Sequence, residues 1–284
     1  MKKITICIAL FMFSNLVLAK TERYSIERSE IRTFKSEDGK REYRLFIKTP
    51  RSYSSNTDES YPLVFLNDGP YAFPLVSSIT RQMSFGGVIE EPIIVGISYD
   101  KKTSWDISRA RDYTPTHSPN EKNGHSEKSK KYSGGASDYL QLFNEELLPY
   151  LRSEFRIDQR KEIYAGHSFG ALWGGFVLKT KPETFDHYIL SDPSIWYHNR
   201  SILDIKYQPS LREMNVIVFS QGKDKGDDCG SCMRKNAREF KKHLKQVIPK
   251  ATIEYHEFEH EIHETIFPTA VSQGLKRILK KQKP

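Results

Sequence analysis

Ser168 stands in Gly166-His167-Ser168-Phe169-Gly170, inside "IYAGHSFGALWGG". Glycine two residues either side of a serine, after a strand and before a helix, is the pattern of a sharp turn that exposes a hydroxyl. The apolar run before it and the small Ala171, Gly174 and Gly175 after it supply that context. A serine hydroxyl is a weak nucleophile near neutral pH and needs a base. The bases on offer lie at the far end of the chain. "HEFEHEIHET", His256 to Thr265, packs three histidines and four glutamates into ten positions.

Two chemistries compete there. His256 to His260 spells H-E-x-x-H, which holds zinc when a helix brings residues four apart onto one face. "ATIEYHEF" instead alternates Ile253 and Tyr255 with polar neighbours, the period of a strand. A third ligand at a recognisable spacing is also missing, so no metal and no other cofactor is expected. His263 directly precedes "ETIFPTAVSQGL", the entry to a closing helix, and is the expected base; His260 reads as a loop histidine and His256 as a strand residue.

A carboxylate should orient that base, in the chain order serine, acid, histidine. The segment after the strand "NVIVFS" is "QGKDKGDDCGSC", and Asp224, nearest the strand end, is taken ahead of Asp227 and Asp228. The tetrahedral intermediate needs backbone donors. One is the amide of Phe169; the other belongs to the loop after "LVFLNDG". Pro70 has no N–H there, leaving Gly69 or Tyr71.

These residues need a scaffold that delivers strand ends to one edge. "REYRLFIKTP", "YPLVFLNDG", "EPIIVGISYD", "KEIYAG", "FDHYILSDPS", "MNVIVFSQG" and "ATIEYHEF" read as strands. Several are continuous β-branched runs, as in strands covered on both faces of a parallel sheet. Between them, "DYLQLFNEELLPYLRSEFRI" places Leu140, Phe143, Leu147, Leu151 and Phe155 on one helical stripe, with Ser137 or Asp138 at its start. "ALWGGFVLKTKPETF", "REFKKHLKQVIP" and "TAVSQGLKRILKK" read as further helices. Alternation of the two types gives a layered α/β domain over residues 20–284. Residues 101–137, rich in Ser, Lys, Asn and Gly, read as a lid or loop insertion.

The N-terminus has a Lys2-Lys3 head, an apolar stretch from Ile4 to Leu18, and Ala19 at a cleavage-type position. That is the pattern of a secretory signal peptide, residues 1–19. No other segment has the length and apolarity to span a bilayer, so no stable membrane insertion is expected after cleavage. Once Cys7 leaves with the signal, Cys229 and Cys232 remain as C-G-S-C. In an oxidising compartment they are expected to form a local disulfide, with a redox pair as the sharper alternative. Lys2 and Lys3 account for two of the +8 net charge, leaving +6 on a chain of scattered lysines. That favours anionic small ligands, and no nucleic-acid motif accompanies it.

The order of these motifs resembles the α/β-hydrolase superfamily, and within it the periplasmic siderophore esterases and related hydrolases. The residues that carry the resemblance are "FLNDGPYAF", "RARDYTPT", "GGASDYLQLFNEELLPYL", "GHSFGALWGGFVL", "SDPSIWY" and "HETIFPTAVSQGL". It implies an α/β-hydrolase fold with a mostly parallel sheet, helices on both faces and a loop-rich lid. It further implies serine esterase activity on carboxylic esters, with Ser168 as nucleophile, His263 as base and Asp68-Gly69 beside the oxyanion. The implied substrates are siderophore trilactones or related anionic or catecholate esters. Short-acyl esters or thioesters are the alternative within that chemistry; a zinc protease and a non-catalytic anion binder are the alternatives outside it. Arg109 and Arg111 of "RARDYTPT" then become candidates for binding an anionic substrate, with an Arg111–Asp112 pairing as the structural alternative. Trp196 becomes a candidate platform for a ring, with a core tryptophan as its alternative.

Overall fold

The computed structural model describes residues 22–124, 126–222 and 232–281. The expected signal segment 1–19, Asp224, Asp227, Asp228 and Cys229 lie outside the described residues. Eight strands form one sheet: β1 (Ser29–Lys35), β2 (Glu42–Lys48), β3 (Tyr61–Leu66), β4 (Ile93–Ile97), β5 (Ile157–His167), β6 (His187–Ser191), β7 (Asn215–Gln221) and β8 (Thr252–Phe258). Their order is β1-β2-β4-β3-β5-β6-β7-β8. Only β1–β2 and β2–β4 pair antiparallel; the rest of the sheet is parallel. A parallel array sends every carboxyl end to the same edge, and the catalytic-type residues collect there.

Side chains alternate across each central strand. Leu63, Phe65, Tyr164, Tyr188, Leu190, Val216 and Val218 face one layer of the core. Val64, Leu66, Ile163, Ala165, Ile189, Ile217 and Phe219 face the other. Complete burial of such side chains contributes roughly 1.5–3 kcal/mol each. The second layer is covered by α1 (Gly69–Phe85) and, from the chain's end, by Ile266–Ile278. On the first layer lie α2 (Trp105–Tyr113), with α3 (Glu127–Lys130) packed against it, α4 (Ala136–Leu142), α5 (Leu148–Glu154), α6 (Phe169–Thr180), α7 (Tyr197–Arg200) and α8 (Met233–Val247). The closing helix Ile266–Ile278 is α9. The sheet and its two covers form the expected α/β-hydrolase architecture.

The helical stripe is buried as expected at Leu140, Phe143, Leu147, Leu151 and Phe155. It is not one α-helix, however. Gly135, rather than Ser137 or Asp138, caps its start, and a π-helical turn, Phe143–Leu147, separates α4 from α5. Pro149 follows that turn, and a proline disturbs the bonding of the helical turn before it.

The segment 101–137 contains α2 and α3 instead of being loop alone. Its polarity is misleading because α2's charges are paired inside the protein. Arg109 bonds Asp68, while Arg111 and Ser108 bond Asp112. Ile107, Ala110 and Tyr113 meanwhile sit in the core.

Candidate active site

β5 ends at His167, and Ser168 follows with φ 57° and ψ −118°, a conformation disfavoured for any residue with a β-carbon. Its neighbours hold it there. Ser168 N donates to Ser191 O (3.0 Å), and Ser168 O accepts from Leu172 N (2.9 Å) and Ser194 N (3.2 Å). A β-carbon on Gly166 would lie 2.5 Å from Tyr164 Oη and 2.7 Å from the Gly170 carbonyl carbon. Position 166 therefore admits only glycine. At Gly170 the nearest atom would be Asp68 Oδ2 at 3.5 Å, an ordinary contact, so the crowding at the turn is confined to Gly166.

His263 comes from the loop between β8 and α9. Gly222, after β7, approaches this loop so closely that a β-carbon would lie 2.2 Å from Glu259 Cα. Glu261 accepts hydrogen bonds from the hydroxyls of Thr265 and Thr269, which tie the loop to α9 and hold its carboxyl below the usual range. So placed, His263 Nε2 lies 3.1 Å from Ser168 Oγ, and Nδ1 lies 2.6 Å from Asp192 Oδ2.

The carboxylate facing His263 is Asp192, immediately after β6; Asp224, the acid expected from the loop after β7, lies outside the described residues. Asp192 is fully buried. Its Oδ1 accepts from Ser220 Oγ (3.1 Å) and Gln221 N (3.3 Å), and its own amide donates to Phe219 O (2.8 Å). A buried charge is sustained by such donors. The network assigns the tautomer: Nδ1–H donates to Asp192, leaving Nε2 to accept the Ser168 proton. Sequence reasoning passed over Asp192 although "SDPS" places it at the end of the strand beside the serine strand, in the same serine, acid, histidine order.

Two further side chains touch this chain of groups. Ser194, fully buried, places its Oγ 3.2 Å from Ser168 Oγ. The His167 ring packs 4.5 Å from the His263 ring and 5.6 Å from Phe267, with Nδ1 3.2 Å from Ser191 O. Burial foremost, then the neighbouring His263, lowers the His167 pKa to about 3, so it is neutral at pH 7.

The loop after β3 forms the opposite wall. Asp68 adopts a left-handed conformation (φ 55°), and a β-carbon on Gly69 would meet Ile97 O at 2.7 Å. Tyr71 N is committed to Asp68 O (3.2 Å). Gly69 N, at the first position of α1, makes no hydrogen bond among the described residues. Of the two expected donors, only Gly69 therefore retains an available N–H. Phe169, the first residue of α6, has its amide immediately after the serine.

Arg109 does not project as a free cation. Its Nε and Nη2 grip Asp68 Oδ1 (2.8 Å) and Oδ2 (3.1 Å), and its guanidinium lies over the rings of Phe169 and Tyr113. Arg111 bonds Asp112 through Nε (2.7 Å) and Nη2 (3.0 Å), and Asp100 (3.1 Å). Arg111 thus forms the Arg111–Asp112 pair given as its structural alternative, with Nε and Nη2 held by two buried carboxylates. Trp196 is half-buried and packs 5.7 Å from Phe169.

His256 lies in β8, where it hydrogen-bonds Glu254 (2.8 Å) and stacks on Phe219. β8 ends at Phe258, so the H-E-x-x-H residues share no helical face. His260 sits on the exposed loop beyond it. No group of three or more metal-type ligands occurs among the described residues. Cys232, at the start of α8, is disulfide-bonded.

A family model named Esterase, described as "Putative esterase", matches residues 36–277. The chain is similar to the ferri-bacillibactin esterase BesA of Bacillus subtilis, 29% identical over 264 residues, covering 89% of this chain and 90% of that one. It is also 29% identical over 167 residues to the apo-salmochelin esterase of Escherichia coli O6:H1, covering 57% of this chain and half of that one. Among solved structures, the BES protein from Bacillus cereus superposes with a TM-score of 0.75 at 24% identity, over 93% of this chain and 100% of that one. At that identity the likeness establishes the fold.

Proposed function

Because the chain belongs to the Esterase family and is a carboxylic ester hydrolase of α/β-hydrolase fold, we propose that Ser168, His263 and Asp192 carry its reaction through an acyl-enzyme. The observation that supports this most is the unbroken chain Ser168 Oγ–His263 Nε2 and His263 Nδ1–Asp192 Oδ2, at 3.1 and 2.6 Å. Ser168 Oγ attacks the ester carbonyl carbon while His263 Nε2 takes its proton. Asp192 stabilises the imidazolium that forms. The amides of Phe169 and Gly69 receive the oxyanion. The tetrahedral adduct then collapses, and His263 returns the proton to the departing alcohol. Water repeats the sequence to free the acid.

The proposed substrates are siderophore-type esters. Relatives named for ferri-bacillibactin and salmochelin support this, as do the Phe169 and Trp196 rings near the nucleophile. Trp196 supplies a surface for a planar ring. Arg109, fixed by Asp68, keeps Nη1 as its one guanidinium nitrogen without a bond among the described residues and offers it to an anionic group. Export to the periplasm or beyond fits the N-terminal pattern and the disulfide at Cys232. No described helix is long and apolar enough to cross a membrane.

A fluorophosphonate probe tests the nucleophile: it should label Ser168, and Ser168→Ala should abolish both labelling and turnover. A panel of catecholate lactones and nitrophenyl esters tests the substrate. Equal kcat/KM across the panel would mark a general short-acyl esterase.

A further inference from the structure

Ser168 Oγ has two polar neighbours, not one: His263 Nε2 at 3.1 Å and Ser194 Oγ at 3.2 Å. A hydroxyl carries a single proton. Asp192 holds the His263 tautomer that leaves Nε2 without a proton, so the Ser168 proton is directed to His263. The contact with Ser194 therefore runs the other way, with Ser194 O–H donating to a lone pair of Ser168 Oγ. Ser194 makes no other side-chain hydrogen bond among the described residues, and its backbone is tied to the same turn through Ser194 N to Ser168 O. Asp192 and Ser194 flank Pro193, so one short segment contacts both the base and the nucleophile.

We infer that Ser194 is a further catalytic residue, whose hydroxyl assists release of Ser168 from the acyl-enzyme. The inference rests on the reading of Ser168 as nucleophile. An interaction speeds a step only if it is stronger in that step's transition state than in its ground state. Before acylation the acceptor is a serine hydroxyl, so the Ser194 hydrogen bond already exists and changes little as Oγ attacks. In the acyl-enzyme, Oγ is an ester alkoxy oxygen, a poor acceptor. Deacylation begins when water adds to the acyl carbon and gives a proton to His263. The C–Oγ bond then breaks, its electron pair passes to Oγ, and His263 returns the proton there. Charge builds on Oγ during that cleavage, and the Ser194 hydrogen bond strengthens with it. The benefit falls on deacylation.

Stopped-flow kinetics with p-nitrophenyl acetate separate the two steps. In Ser194→Ala the decay of isolated acyl-enzyme should slow about 10-fold, with the acylation burst within about threefold of the unaltered enzyme. Acyl-enzyme should accumulate in the intact mass spectrum. Ser194→Cys, of similar size with a weaker donor, should fall between. Unchanged decay in both variants, or equal slowing of burst and decay, overturns the role of Ser194. Failure of the unaltered enzyme to be labelled at Ser168 removes the premise instead, so the two failures are distinguishable.

Discussion

β6 and β7 lie side by side, end at the same edge, and do different work there. β6 is followed directly by Asp192, a fully buried carboxylate with φ 44° that faces the imidazole. β7 ends in Ser220 and Gln221, which donate to the far oxygen of that carboxylate. One strand end carries the charge; its neighbour stabilises it. In a parallel sheet, adjacent carboxyl ends are about 5 Å apart, so either can supply the acid for a histidine arriving beyond both. Chain order does not decide between them. The donor set does, because only a carboxylate with its second oxygen satisfied is sustained without water.

The largest effect should come from altering the two aspartates this contrast separates. Asp192→Asn preserves shape but offers His263 Nδ1 an amide that favours the wrong tautomer. It should lower kcat/KM for a nitrophenyl ester on the order of 10³–10⁴-fold. Asp224→Asn, at the position first expected from the sequence, should leave kcat/KM within about twofold. The reverse ranking would return the acid to the loop after β7.

A smaller effect tests the supporting strand end. Ser220→Ala removes one of the two donors to Asp192 Oδ1 and leaves the imidazole contact in place. A hydrogen bond to a charged group of this kind gives a fall in kcat of roughly 3- to 10-fold. No change at all would mean that Gln221 N alone sustains the carboxylate.

The same contrast explains what the sequence made legible. Strand runs such as "LVFL" and "VIVF" are apolar on both faces and announce a covered parallel sheet. The elbow around Ser168 is a local pattern, and His263 is marked by the helix that follows it. The acid is not local: its identity depends on which strand end lies under the imidazole, a tertiary fact. β1 was missed because it is an edge strand with only Phe34 buried. α2 was missed because Arg109, Arg111 and Asp112 look solvated in sequence while bonding internally. The two readings of Arg111 stay open in sequence for the same reason, since a paired guanidinium and a ligand-binding one are spelled alike.

The smallest effect concerns His167, the last residue of β5, immediately before the nucleophile. Its ring is held between His263 and Phe267, and its pKa is lowered to about 3 from 6.5, by burial first and by His263 second. Between those values the unfolded chain binds a proton that the folded protein refuses. Stability therefore rises with pH across that window and falls as acid is added. His167→Gln removes the titration. The unaltered protein should lose more Tm than the variant between pH 7 and pH 5, by a few degrees, since about 1 kcal/mol moves Tm by roughly 2–4 °C in a chain of this size. Parallel Tm curves for the two proteins would show that His167 is protonated at no cost to the fold, and that its ring is less enclosed than the packing against His263 requires.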